Sequence, residues 1–344
     1  MNKKRKLDQT SNNNNNYLKS QKNNEKYKAT NTAFRLARRW TRVQDKITVK
    51  KMRKLIGYIE KIPSSASDCI SGKLARYLGA NFLKALMVKN NNNNNNINVK
   101  NELEQMLKRN DIWEMNNETF VTKYYNFIES FESELKNKEL KVENALMYVL
   151  KHNNIMMTLN ENSLVLEFGV ASGTSLKAIA KNVPSNQIVY GFDSFQGLPK
   201  FWRTGFDVGK FSTSNGKAPI FEEKNIKIID GLFEETCDIF FKLQREQKNT
   251  IALLHIDCDI YSSTKTIFNA IEKYMNMDID NNNRINLLGN GTIIVFDELL
   301  CYNGFEKHEL LAFYEFLQNN PKISYEIIGT KHIGCMSVAI KLII

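Results

Sequence analysis

Two aspartates, Asp257 and Asp259, end a mostly apolar stretch, IALLHIDCDIYSST at 251–264. The apolar residues predict a buried strand, and the serines at 262 and 263 predict the start of a helix. Carboxylates at the end of a core strand can bind a cation, accept a proton or cap the following helix. The first two roles are chemical and the third is structural. The positions of the other acids in the sequence distinguish between them.

Acids stand at the ends of four other predicted strands as well. The five strands are SLVLEFG from 163, QIVYGFD from 187, IKIID from 226, IALLHID from 251 and GTIIVFDE from 291. Their terminal acids are Glu167, Asp193, Asp230, Asp257 with Asp259, and Asp297 with Glu298. In an open parallel sheet the carboxyl ends of the strands form the ligand-binding edge. A single acid there is better explained as a helix cap, but acids at five strand ends favour a site.

The order of elements predicts the fold class. The five strands are continuous apolar runs separated by helix patterns such as TSLKAIAKNV from 174, which is typical of a parallel sheet covered on both faces. Two more strands, SYEIIG from 324 and CMSVAIKLI from 335, are joined by too few residues for a helical crossover and must pair antiparallel. Two helices, roughly 118–135 and 141–152, precede the sheet. The sequence therefore predicts an α/β domain with a seven-stranded, mostly parallel sheet that ends in an antiparallel strand.

A glycine turn, LEFGVASGTS at 166–175, follows the first strand. Gly169 and Gly173 precede a helix start at Thr174, so backbone N–H groups face a ligand at a helix N-terminus. A dinucleotide fingerprint needs glycine at 171 and 174, where this chain has alanine and threonine, so NAD fits poorly. Asp193 is placed to accept both hydroxyls of a ribose, which NAD and S-adenosylmethionine share. The antiparallel final hairpin favours the methyl donor.

Four motifs carry a resemblance to a known family. LEFGVASGTS, VYGFDSFQGLP, LLHIDCDIYSST and IIVFDELLCYNGFEKHELLAF resemble, in this order, the class I S-adenosylmethionine-dependent methyltransferases. The chain is most similar to the macrocin O-methyltransferase-like group, which methylates sugar hydroxyls with a divalent metal. The resemblance covers about residues 140–344 and implies a Rossmann-like methyltransferase sheet. The chain departs from the pattern at Ala171, often a glycine, and at Glu298, where the sugar enzymes have the second of two aspartates.

The resemblance implies a role for each residue of the sheet edge. It makes Asp259 the general base that removes the acceptor's hydroxyl proton. It makes Asp257, Asp297 and Glu298 ligands of a metal ion, for which all-oxygen ligands favour Mg²⁺ over zinc. The expected contacts of S-adenosylmethionine are Glu167, Gly169, Ala171, Gly173, Thr174, Ser175, Asp193, Ser194, Asp230, Gly231 and Asp257.

A repulsion argument also favours a metal. The fourth and fifth strands should be neighbours about 4.8 Å apart. Four carboxylates at their ends would repel one another unless a cation lies among them. His255, inside the fourth strand, is interpreted as a core histidine, with a role as ligand or base as the alternative. The thirty residues at 194–223, rich in aromatic residues and glycine, are long enough for a functional loop and are predicted to form a lid, the alternative being a surface insertion.

Charge divides the chain into two parts. Residues 1–100 carry 23 Lys and Arg against 5 Asp and Glu, or +18, whereas residues 101–344 carry 25 against 32, or −7. The predicted organisation is a disordered basic head (1–30), basic helices (31–89), an asparagine-rich linker (90–98), a helical lead-in (99–160) and the methyltransferase domain (161–344). The basic helical N-terminal extension could bind RNA or another polyanion, an acidic membrane surface or a partner, or pack on the main domain or a second subunit of a homo-oligomer.

Composition limits the cellular setting. Five scattered cysteines, mostly in apolar runs, indicate reduced thiols of an intracellular protein. No apolar run approaches 18 residues and the basic start lacks an apolar region, so neither a membrane span nor a signal peptide is predicted. We expect a cytoplasmic protein, with Lys3-Lys4-Arg5-Lys6 as a candidate nuclear import signal.

Three functions remain open from the sequence. The first is metal-dependent O-methylation of a small-molecule or glycosyl hydroxyl. The second is a methyltransferase that its basic arm delivers to RNA or another polyanion. The third is a donor-binding module without turnover, against which the full set of acids counts.

Overall fold

The computed structural model describes residues 120–135, 138, 144–152, 159–203, 205–275, 287–302, 304–333 and 335–344. The chain divides into two compact units, Met1–Asn126 and Phe127–Ile344. The predicted basic head, basic helices and asparagine linker all lie outside the described residues. In the described part of the chain, no helix combines the length and the hydropathy that a membrane crossing needs.

Six helices and seven strands make up the described regular structure. The helices are α1 (Phe120–Leu135), α2 (Ala145–His152), α3 (Thr174–Asn182), α4 (Phe233–Glu246), α5 (Tyr261–Met275) and α6 (Glu309–Asn319). The strands are β1 (Ser163–Phe168), β2 (Val189–Asp193), β3 (Ile226–Asp230), β4 (Thr250–Ile256), β5 (Leu288–Leu300), β6 (Ser324–Ile333) and β7 (Cys335–Ile343). Short 3-10 turns lie at Ser214–Gly216 and Phe305–Lys307. Both predicted lead-in helices and all seven predicted strands are present.

The seven strands form one sheet in the order β3-β2-β1-β4-β5-β7-β6. Strands β1 to β5 pair in parallel, and β7 pairs antiparallel with both β5 and β6. The chain builds outward from β1 to β3 and then returns to β4 on the other side of β1. The switch point of the sheet therefore lies between β1 and β4, where ligands bind in folds of this type. The predicted fold class, a Rossmann-like, mostly parallel seven-stranded sheet, is confirmed.

Helices cover both faces of the sheet because its central strands are apolar on both sides. All six residues of β1 are buried. On one face the Phe268 ring of α5 stacks on Phe316 of α6 at 4.7 Å and packs towards Phe296 of β5. On the same face, Phe168 and Phe192 stack at 4.4 Å and the α4 ring of Phe240 meets Phe192 edge-on. On the opposite face, Leu146 of α2 and Leu176 of α3 belong to one buried cluster with Val165 of β1 and Val295 of β5. This packing fixes the helices and with them the loops at the strand ends.

The register of the strands brings the acids together. Glu167 of β1 lies beside His255 of β4, and Ile256 of β4 lies beside Phe296 of β5. Asp257 and Asp297 follow directly after that last pair and so leave the sheet at the same level. The acids at the ends of the fourth and fifth strands therefore lie close together, as predicted, because the two strands pair in parallel and in register.

Candidate active site

A cavity of about 270 Å³ lies at the carboxyl ends of β1, β2, β4 and β5. Its walls come from the turns after these strands, from the loop between β2 and β3, and from the start of α4. The lining residues are Gly169, Ala171, Asp193, Ser194, Gly197, Leu198, Pro199, Phe211, Gly231, Leu232, Phe233, Glu234, Asp257, Cys258, Asp259, Ser263, Asp297 and Glu298. The cavity occupies the edge at which the sequence predicts a ligand.

The glycine turn after β1 is shaped by close backbone packing. Gly169 has φ +92°, and a Cβ atom there would lie 1.8 Å from the backbone oxygen of Asp257. Ala171 has φ 45°, a left-handed conformation that costs more for alanine than for glycine. Gly173, with φ +77°, is the N-cap residue of α3. The turn therefore brings the β1 and β4 ends into contact and leaves the α3 N-terminus behind the cavity wall.

Asp193 holds this turn in place. Its Oδ2 accepts hydrogen bonds from the backbone N–H groups of Val170 and Ala171 at 2.9 and 2.7 Å, and its Oδ1 accepts one from Phe195 at 2.8 Å. A carboxylate has about four acceptor positions, so three are used by the protein itself. Asp193 still lines the cavity, but a bound ribose would have to share its oxygens with these amides. The sequence did not predict this organising role.

A buried acid–base pair lies beneath the cavity. Glu167 is fully buried, accepts a hydrogen bond from Ser175 Oγ at 2.7 Å, and lies 3.6 Å from Nδ1 of His255. Burial alone would lower the pKa of His255, but its interaction with Glu167 and the charges of Asp257 and Asp297 raise that pKa to about 9. These carboxyl groups therefore favour the protonated form of His255. Glu167, for which a cofactor contact is predicted, does not belong to the cavity lining and stabilises that protonated form.

Asp257 and Asp297 face the cavity from neighbouring strand ends. Burial, then the charge of Asp297, raise the pKa of Asp257 well above its usual range, although His255 opposes them. A raised pKa means that Asp257 is hard to ionise in this environment. The two side chains are therefore a closely coupled acidic pair above a buried cation.

Asp259 occupies a turn between β4 and α5 with an unusual backbone. Its φ is 64°, in the left-handed region, which aspartate tolerates better than most residues. The residue is only 7% exposed but lines the cavity. Burial and the charge of Glu298 raise the pKa of its carboxyl group to about 8, with Arg203 acting in the opposite direction. Asp259 thus titrates close to neutral pH.

Glu298 is held by an arginine from the loop between β2 and β3. Arg203 Nη2 lies 3.3 Å from Glu298 Oε2, and both side chains are partly buried. The guanidinium group stacks on the rings of Trp202, Phe206 and Tyr302, with its central carbon 3.9, 4.5 and 5.0 Å from their centroids. Trp202 of the same loop also packs edge-on against Tyr302 at 5.4 Å, so two neighbouring side chains hold the loop to the end of β5.

The metal ligands that the resemblance implies are not arranged as a set. Among the described residues, no group of three or more His, Cys, Asp or Glu side chains is placed to hold a metal ion. Asp257 and Asp297 lie together, but Glu298 is engaged by Arg203. The residues as arranged therefore do not fit a three-carboxylate metal site.

The remaining predicted site residues divide into two groups. Ala171, Ser194 and Gly231 line the cavity, and their contact with the donor stays a prediction. Gly173, Thr174, Ser175 and Asp230 do not, since the first three begin α3 behind the turn and the last ends β3 with its side chain exposed.

The loop between β2 and β3 covers one side of the cavity. Gly197, Leu198, Pro199 and Phe211 belong to the lining, and Trp202 is 1% exposed. The loop folds back on itself through backbone hydrogen bonds from Leu198 to Lys210 and from Gly209 to Leu198, at 2.8 and 2.9 Å. The segment interpreted as a lid is thus an ordered wall of the cavity; its movement stays a prediction.

Sequence reasoning missed two residues of the site. Arg203 lies in the predicted lid, and a cation between aromatic residues in FWRTGF was the available signal. Glu309, the first residue of α6, is 1% exposed and contacts the turn at Asp259. Its signal was an acid among the apolar residues of HELLAF.

Comparisons with known proteins return likenesses at the level of overall structure. No family model and no curated protein gives a significant match to the sequence. The calicheamicin methyltransferase CalS11 is 18% identical with a TM-score of 0.37, over 76% of this chain and 90% of its own. An O-methyltransferase from Bacillus cereus in complex with SAH is 13% identical with a TM-score of 0.35, over 71% and 97%. A candidate rRNA-methylase from Clostridium thermocellum is 19% identical with a TM-score of 0.34, over 59% and 100%. Likenesses this remote do not bear on the activity of this chain, which must be argued from its own residues.

Proposed function

We propose that the protein transfers a methyl group from S-adenosylmethionine to a hydroxyl oxygen of a small-molecule or glycosyl acceptor. The observation that carries the proposal is Asp259, a nearly buried carboxyl group in the cavity wall whose pKa is raised to about 8. A general base works best when its pKa lies near the working pH, because it is then both sufficiently ionised and sufficiently basic.

The reaction needs only a base and correct positioning. The acceptor oxygen attacks the methyl carbon of the sulfonium, a C–O bond forms as the C–S bond breaks, and sulfur keeps the bonding electron pair. The proton of the hydroxyl group passes to Asp259. The products are the methyl ether and S-adenosylhomocysteine, and we expect the loop at 194–223 to keep water from the reacting atoms when it closes.

The acidic character of the cavity walls favours a cationic donor and a neutral or cationic acceptor. Six of its lining residues are acids: Asp193, Glu234, Asp257, Asp259, Asp297 and Glu298. Among the residues that the structure describes, no Lys or Arg belongs to that lining. Such walls attract the positive sulfonium and ammonium groups of the donor and disfavour phosphate groups at the reacting centre. A polyanion bound by residues 1–89 would then serve to localise the enzyme and would not itself be methylated here.

Whether methyl transfer requires Mg²⁺ is a question for experiment. The step above uses no metal, because the expected ligands are not arranged around one point. Mg²⁺ does bind proteins through one or two carboxylates while keeping several waters, and Asp257 with Asp297 would be the pair available for that.

The test measures S-adenosylhomocysteine formed from S-adenosylmethionine and a protein-free metabolite extract of the source organism, with Mg²⁺ or with EDTA. The full-length wild type is compared with Asp259→Asn, which keeps the shape of the side chain and removes the base. We expect donor binding to persist and turnover to fall by about 10² to 10⁴. An Asp259→Asn variant that turns over normally would rule out the base, and loss of wild-type turnover in EDTA alone would establish the metal requirement.

A further inference from the structure

The catalytic base that we propose lies in a strained turn that needs support. Asp259 has φ 64°, a conformation that costs a non-glycine residue free energy unless its surroundings impose it. The next residue closes the turn, since the N–H group of Ile260 donates to the carbonyl oxygen of Cys258 at 2.7 Å. The N–H groups of Cys258 and Asp259, both buried residues, also need acceptors.

One oxygen atom of one side chain accepts hydrogen bonds from both N–H groups. Oε1 of Glu309 accepts hydrogen bonds from the backbone N–H groups of Asp259 at 3.1 Å and of Cys258 at 3.4 Å. Glu309 is the first residue of α6, so a helix that packs on α5 and β5 fixes its position. Its other oxygen, Oε2, is buried without a hydrogen-bond partner among the described residues. A buried carboxyl group with one idle oxygen is costly, which argues for a role beyond stability.

We infer that Glu309 is a positioning residue, whose Oε1 holds the Cys258–Asp259 amides and thereby sets the direction of the Asp259 carboxyl group into the cavity. This inference rests on the proposed role of Asp259 as the base. Glu309 does not line the cavity, so it acts through the turn and not on the substrate.

The environment indicates that shape matters here more than charge. Burial, with the charges of Asp259 and Asp257, raises the pKa of Glu309 well above its usual range, against the effect of the two backbone hydrogen bonds. A neutral side chain with an oxygen at the same place should therefore serve equally well. A shorter side chain that keeps the carboxyl group should not, because its oxygen would lie about one bond length short of the amides.

Three substitutions at this position separate shape from charge, and one matched control tests general loosening of the helix. Glu309→Gln keeps the length and an acceptor oxygen, Glu309→Asp keeps the charge and shortens the reach, and Glu309→Ala removes both. Glu315→Ala is the control, because Glu315 also lies on α6 and binds α5 through Tyr261 at 2.9 Å and Lys265 at 3.0 Å, away from these amides.

Amide hydrogen exchange resolved at the N–H groups of Cys258 and Asp259 reports these two hydrogen bonds directly and needs no methyl acceptor. In the full-length protein we expect faster exchange of these two amides in Glu309→Ala and Glu309→Asp, and wild-type exchange in Glu309→Gln and Glu315→Ala. Exchange of these two amides that is unchanged in Glu309→Ala, or faster in Glu309→Gln than in Glu309→Asp, would overturn the inference. Because the Gln and Asp variants change little in volume, the comparison survives if Glu309→Ala does not fold.

Turnover with the metabolite extract tests the catalytic consequence. We expect Glu309→Asp to lose about 10²-fold in kcat, as for a misplaced catalytic group, with S-adenosylmethionine affinity retained. In an Asp259→Asn background the same change should cost little more, since both act on one group. If Asp259→Asn abolishes turnover but Glu309→Asp leaves it unchanged, the positioning role is wrong and the proposed function stands. If Asp259→Asn turns over normally, the proposed base itself is wrong.

Discussion

Replacing Asp259 by asparagine should stabilise the protein at neutral pH while it removes the proposed base. The carboxyl group has a pKa of about 8 in the folded protein, against 3.8 for an unperturbed aspartate. Between these values the folded state holds a proton that the unfolded state has released, so stability falls as the pH rises from about 4 towards 8. The folded pKa is the higher one, so the stabilising effect is complete at low pH and is lost as pH increases.

The size of the effect follows from the same two pKa values. One pKa unit corresponds to about 1.4 kcal/mol, and the interval from pH 5 to pH 7 covers almost two units of the difference. The wild type should therefore lose up to about 2 to 3 kcal/mol more than Asp259→Asn over this interval. Relaxation of the neighbouring acids makes that figure an upper bound.

Urea unfolding at pH 5 and pH 7, without donor or added metal, measures this difference. Asp238→Asn is the control, because hydrogen bonds from Lys273 and Tyr274 lower the pKa of Asp238. That group is ionised in both states over this interval, so its removal should leave the pH dependence unchanged. If Asp259→Asn and the wild type lose stability in parallel from pH 5 to pH 7, the Asp259 carboxyl group is already ionised at pH 5. Its tuning by burial would then be refuted.

Two further predictions concern the donor and the basic arm. Asp193→Ala removes the acceptor that holds the amides of Val170, Ala171 and Phe195, together with the carboxylate predicted to bind the ribose of the donor. S-adenosylmethionine binding should weaken by at least about tenfold, since one charge-assisted hydrogen bond to the ribose contributes about 1.5 to 3 kcal/mol. Calorimetry on a folded variant with unchanged affinity would contradict the assignment of this turn to the donor. A chain that begins at residue 99 should remain folded and bind the donor but lose any salt-dependent binding of RNA that the full chain has. Its insolubility would instead place the basic residues in the core.

Much of the fold could be predicted because local patterns alone determined it. Apolar runs of the right length gave the seven strands, and the short link before Cys335 required an antiparallel pair. Parallel register then placed Asp257 beside Asp297 without any knowledge of side chains. These inferences needed only the period of each element and the length of each connection.

The finer geometry of the site depended on contacts between distant parts of the chain. Arg203 meets Glu298 across 95 positions, and Glu309 meets Asp259 across 50. No periodicity or spacing encodes such pairs, because the helices and loops that bring them together are positioned by the whole core. Asp193 shows a related limit, since its spacing from the glycine turn fits a ribose contact and a backbone contact equally well, and here three amides occupy it.

The acids at the ends of β4 and β5 repel one another less than their number alone suggests. The sequence shows these acids, but it does not show the two basic side chains that the fold places among them. His255 is charged beneath Asp257 and Asp297, and Arg203 pairs with Glu298. These two positive charges offset part of the repulsion among the acids, so that repulsion alone does not require a metal ion. A metal bound through Glu298 would have to take that side chain from Arg203 and so remove one of the contacts that hold the loop between β2 and β3, while the contacts of Trp202 and Arg203 with Tyr302 would remain. Metal binding there would weaken the hold on the loop, whereas a metal held by Asp257 and Asp297 alone would leave the Arg203–Glu298 pair intact.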